Sequence, residues 1–72
     1  MDAQKTGKII SIKRKSMNMT QGELAKKIHI TDKAVSKWER GLTFPDISVL
    51  ILLAEIIDIS LYDLLKGEDK NG

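Results

Sequence analysis

The sequence predicts an all-α fold, a compact domain of five short helices, and three observations carry that expectation. Apolar residues recur at helical rather than alternating spacing along most of the chain. Good N-cap residues punctuate it, with Thr20, Thr31, Asp46 and Ser60 each standing just before such a pattern. No run longer than a few residues reads as a strand, and there is neither an internal repeat nor a low-complexity tract. At 72 residues the chain holds one domain, near the size at which a single core is only just sufficient.

Residues 1 to 5 are expected to be flexible, and a first helix to run from about Thr6 to Met17. Its pattern turns Ile9, Ile10, Ile12 and Met17 toward the core and leaves Lys8, Arg14 and Lys15 outside. Asn18, which tolerates the left-handed conformation of a helix ending, closes it. Thr20, Gln21, Gly22, Glu23 then fit a capping box, in which Thr20 and Glu23 each accept from the other's N–H. This opens a second helix with Leu24, Ala25 and Ile28 as its apolar stripe and Lys26 and Lys27 on its outside.

The stretch from Thr31 to Gly41 reads as a self-contained third helix, capped by Thr31 and closed by a glycine suited to the left-handed position. At about 100° per residue, Ala34, Val35 and Trp38 fall on one face, while Asp32, Lys33, Ser36, Lys37 and Arg40 fall almost opposite. About three residues separate the second and third helices, the short connection that a helix-turn-helix requires. Leu42 to Pro45 is an extended connector, since Pro45 keeps Phe44 from helical angles. Asp46 caps a fourth helix to about Ile57, and Ser60 a fifth from Leu61 to Leu65, closed by Gly67. Residues 6–67 thus form the domain, and residues 68–72 a flexible polar tail.

Composition narrows the function. There is no cysteine, so no disulfide or thiolate metal site, and His29 alone cannot hold zinc. No cofactor is expected. The longest apolar run, Val49 to Ala54, is far short of a membrane span, and a soluble cytoplasmic protein is the expectation. The net charge of +2 divides unevenly: residues 1–40 hold ten basic against four acidic side chains, +6, and residues 41–72 two against six, −4. A basic half invites an acidic polymer and an acidic half directs it to one side. No nucleophile and base pair, carboxylate dyad or metal constellation appears, so an enzyme is not expected.

Thr20, Gln21, Glu23, Leu24, Ala25, then Val35, Ser36, Lys37, Trp38, Glu39, Arg40, Gly41, then Pro45 and the Leu53, Ala54 pair resemble the helix-turn-helix domain of phage Cro and repressor proteins, the XRE family. The resemblance covers about residues 6–67. It implies sequence-specific binding of double-stranded DNA by a bacterial or phage-type transcriptional regulator. The helix over about residues 32–40 would lie in the major groove. Asp32, Lys33, Ser36 and Lys37 become the candidate base readers, and Gln21 at the start of the second helix a phosphate contact that also braces the third helix. Thr31, Arg40 and Thr43 are further candidate DNA contacts. Arg14 and Glu39 look like the family's internal ion pair, and Trp38 is a core plug rather than a stacking platform.

The sequence departs from the family's pattern at three places. His29 stands where the family usually has glycine and is read as tolerated strain rather than a ligand or pH sensor. Lys13 occupies a position that is often apolar, and Ile51 and Leu52 occupy positions that are usually polar. In the fourth helix Leu50, Leu53, Ala54 and Ile57 form the inward stripe, yet Val49, Leu52 and Ile56 form a second one. Either this helix is buried nearly all round, or the second stripe, with Ile51 or Tyr62, covers a homodimer partner or a further domain. An alternative function follows from it: an antitoxin-like or adaptor module that binds protein through the fourth helix.

Overall fold

The computed structural model describes residues 2–68. Five helices follow in order: α1 (Ala3–Ser16), α2 (Gln21–Lys27), α3 (Asp32–Glu39), α4 (Ile47–Ile56) and α5 (Leu61–Lys66). All but α1 are too short to persist alone in water, so their boundaries are set locally and their stability by packing. Each begins at a side-chain cap, with Asp2, Thr20, Thr31, Asp46 and Ser60 accepting from first-turn N–H groups. The predicted capping box at Thr20 and Glu23 is formed in both directions.

Each helix also ends the same way. Asn18, His29, Gly41, Asp58 and Gly67 take φ between 56° and 73°, the left-handed region. The next residue's N–H then donates to a carbonyl five residues back: Met19 to Arg14, Ile30 to Ala25, Leu42 to Lys37, Ile59 to Ala54 and Glu68 to Asp63. These bonds satisfy carbonyls that a helix terminus leaves open. Three of the five positions are not glycine, and His29 carries the expected strain.

The first helix differs from its prediction. It starts at Ala3 rather than Thr6, because Asp2 caps it, so residues 3–5 are helical where a flexible segment was expected. Ile12 and Met17, predicted to face inward, are exposed, while Thr6, Gly7, Ile10 and Arg14 form the buried line. Arg14 is therefore not outside. The buried polar members have specific partners: the Thr6 hydroxyl donates to the Leu64 carbonyl at 2.8 Å, tying α1 to α5. Gly7 lets α1 meet the backbone of α3 at Trp38, and Gly41 and Gly67 lie against Gln4 and Lys5.

The core gathers Ile10, Leu24, Ala25, Ile28, Val35, Trp38, Leu50, Leu53, Ala54, Ile57 and Leu64. Trp38 is buried as predicted, and the inward stripe of α4 is the one expected. That helix is not buried all round, however, since Ile47, Ile51 and Leu52 remain exposed. Of the predicted second stripe only Leu52 faces solvent; Val49 and Ile56 are half-buried against the core. Residues 69–72 of the predicted tail lie outside the described residues, and Glu68 is engaged in closing α5.

Candidate nucleic-acid interface

Two features define the surface of α3: what it presents and what holds it. The capping hydroxyl of Thr31 accepts from the Ala34 N–H at 3.2 Å, which starts the helix cleanly. Val35 and Trp38 are buried, so the opposite side must face solvent. There Asp32, Lys33, Lys37 and Arg40 are exposed and Ser36 is half-buried, with Thr31 and Thr43 exposed at either end. Lys33 and Lys37 lie four residues apart, and their side chains have no hydrogen bond or ion pair among the described residues. Like charges at this spacing repel, so the free surface is primed for an anion. The Arg40 Nε donates to the Ser36 carbonyl at 3.3 Å, which draws its guanidinium back along the helix.

The support lies beneath the C-terminal end of α3. Arg14 Nε donates to Glu39 Oε2 at 2.7 Å and Arg14 Nη2 to Glu39 Oε1 at 2.9 Å, a two-pronged pair between α1 and α3. Its side chains are 10% and 7% exposed. Arg14 Nη1 donates further to the Met19 carbonyl at 2.8 Å, binding the turn that precedes α2. Gln21 Nε2 then donates to Glu39 Oε1 at 3.0 Å. One carboxylate thus joins α1, α2 and α3.

The charges fit that arrangement. Burial pushes the Glu39 carboxyl up, but hydrogen bonds from Arg14 and Gln21, the Arg14 charge and the Ser11 hydroxyl outweigh it and hold the group below its ordinary value. The Glu39 hydrogen bond raises Arg14 in turn, against the effect of burial. A pair this dry contributes orientation more than stability, because desolvation offsets most of its attraction. The family resemblance implies that Gln21 braces the third helix, and its amide does reach α3; that the partner is the Glu39 carboxylate, 18 residues away, nothing local in the sequence indicates. With one N–H given to Glu39, the amide oxygen and the second N–H are the groups left for another partner.

Among the described residues no group of three or more His, Cys, Asp or Glu could hold a metal, and no helix is long and apolar enough to cross a membrane.

A protein-family model described as Helix-turn-helix matches residues 10–64. The uncharacterized HTH-type transcriptional regulator YqaE of Bacillus subtilis (strain 168) is 44% identical over 55 residues, 76% of this chain and 47% of that protein. Repressor protein C2 of Salmonella phage P22 is 34% identical over 68 residues, 94% of this chain and 32% of that protein. The chain spans less than half the length of these relatives. The crystal structure of the P22 c2 repressor with synthetic operator 9T is similar at a TM-score of 0.83 and 33% identity, covering 88% of this chain and 96% of that one. Because the matched span takes in α2, α3 and α4 whole, with parts of α1 and α5, the chain belongs to the helix-turn-helix family, of the phage-repressor (XRE) type.

Proposed function

We propose that this chain is the DNA-binding unit of a cytoplasmic transcriptional regulator, that it lays α3 in the major groove of duplex DNA, and that it acts by occupancy rather than catalysis. The observation that carries the reading is the opposition on α3 between buried Val35 and Trp38 and exposed Asp32, Lys33, Lys37 and Arg40, on a helix anchored through Glu39. The likeness to a repressor solved with its operator supports it. Gln21 would meet a phosphate with its remaining amide groups, beside Thr31 and Thr43, while residues early in α3 reach base edges. Two copies would read half-sites about 34 Å apart.

Fluorescence anisotropy on labelled duplexes, with binding followed across a salt series, tests this. The logarithm of the affinity should fall linearly with that of salt, by about 0.9 for each phosphate neutralised. Affinity that is independent of salt and of DNA sequence would remove the proposal.

A second reading concerns α4. Ile51 and Leu52 are 44% and 43% exposed, and Ile47 and Tyr62 are more exposed still. Large apolar groups left in water on one helix and its neighbour favour a protein contact, here the pairing of two copies on DNA. The protein-binding alternative, an antitoxin-like or adaptor module, would use the same surface. Sedimentation at rising concentration, with and without DNA, separates a self-associating chain from one that stays monomeric.

A further inference from the structure

The chemistry of the α3 surface goes further than DNA binding in general. We propose that each half-site presents guanines to Lys33 and Lys37, and that Asp32 accepts from the N4 amine of cytosine in a neighbouring pair. This rests on α3 lying in the major groove.

The argument is one of matching donors to acceptors. Guanine shows two acceptors in the major groove, O6 and N7, and cytosine a single donor, N4. Adenine sets an acceptor beside a donor, and thymine an acceptor beside a methyl group. A lysine ammonium is donor-only and an ionised carboxylate acceptor-only. Within α3 the exposed side chains are Asp32, Lys33 and Lys37, all without a hydrogen bond or ion pair among the described residues. No Asn or Gln occurs in this helix to bracket adenine. Val35 and Trp38 are buried, and Ala34 packs against the core, so the outer surface offers no large apolar group for a thymine methyl.

Position separates these groups from mere phosphate contacts. Lys33 lies in the first turn and nearly opposite the buried face, where a recognition helix reaches deepest. Lys37 follows it by about 6 Å along the axis, close to two base steps of about 3.4 Å. Arg40, at the far end, is drawn back to the Ser36 carbonyl. Asp32 supplies the discrimination. A carboxylate on a surface that meets a polyanion weakens binding everywhere except where it finds a donor, and bases showing only acceptors there are rejected.

Selection of bound duplexes from a random pool, using the whole 72-residue chain, is the first experiment. Two guanines within about three consecutive pairs of each half-site are expected. An enriched motif made only of A·T pairs overturns the inference while leaving the functional reading intact; no enrichment, with no binding to any duplex, overturns both. The second experiment replaces each selected guanine by 7-deazaguanine, which removes N7 and keeps the pairing. Affinity should fall about fivefold or more for the unaltered chain at the guanine facing each lysine. The same replacement should have little effect on Lys33→Ala at one position and on Lys37→Ala at the other. Equal losses in the variants and the parent assign the lysines to phosphate and overturn the assignment. Asp32→Ala should relax the choice of base at the cytosine, and an unchanged preference there overturns the role of Asp32.

Discussion

Gly7 of α1 and Trp38 of α3 meet backbone to backbone: a Cβ placed on Gly7 would fall inside the contact distance of the Trp38 carbonyl. Helix α3 is therefore seated against α1 at a point where no side chain fits. Gly7→Ala should destabilise the fold by about 1–3 kcal/mol, even though alanine suits a helix interior better than glycine. Thermal unfolding followed by circular dichroism checks this, and a variant as stable as the parent would show that the two helices can move apart at little cost.

His29 invites the opposite change. Its left-handed φ of 56° costs a β-carbon-bearing residue about 1–2 kcal/mol, part of which glycine returns as backbone entropy. His29→Gly should therefore stabilise by about 0.5–1 kcal/mol, raising the melting temperature by a few degrees. Asn18→Gly and Asp58→Gly should gain less, since Asn and Asp tolerate this region better. Equal gains at all three positions would contradict the strain argument.

Acid should weaken the fold through Glu39. Its carboxyl lies below its ordinary value in the folded chain, so its contribution is fully present above the unfolded pKa of about 4.3 and is lost as pH falls through the folded value. Glu23 and Asp46 are lowered too, by hydrogen bonds at their helix N-termini, and add to the same trend. Glu39→Gln leaves the Arg14 guanidinium buried without its counter-charge and should cost about 3 kcal/mol at neutral pH. Urea midpoints measured from pH 7 to pH 2 should show a shallower acid slope in this variant than in the parent.

For the exposed side of α4, Ile51→Glu with Leu52→Glu places two charges where an apolar contact is proposed. The paired variant should sediment as a monomer at every concentration and bind a two-half-site duplex with a shallower isotherm. Its melting temperature should change little, as both residues already face water. Unaltered association would move the interface elsewhere.

Most of this fold was legible because its boundaries are written locally. Thr20, Thr31, Asp46 and Ser60 act where they were expected, and Asn18 and Gly67 close helices as anticipated. The errors fall on α1, where hydropathy ranked Ile12 above Thr6 and Arg14. Those two polar residues are buried because the Leu64 carbonyl and the Glu39 carboxylate await them, partners 58 and 25 residues away: the first no local pattern reveals, and the second, the expected ion pair, comes from the family resemblance rather than from hydropathy. Asp is itself a good N-cap residue, and Asp2 turns the expected loose terminus into the first turn of α1. The same limit applies to the proposed interface: the exposed set on α3 follows from periodicity, whereas the Gln21 to Glu39 link depends on how three helices converge.

The terminal motifs of α3 have an architectural consequence. Thr31 starts the helix, and Gly41 with the Leu42 N–H ends it, using atoms within residues 31–42 alone. Beyond them the helix owes the scaffold little more than Val35 and Trp38 in the core and Glu39 in the anchor. This segment is therefore a cassette: its outward residues are free to be rewritten, or transplanted from another chain of the same register, while the frame that docks them stays unchanged.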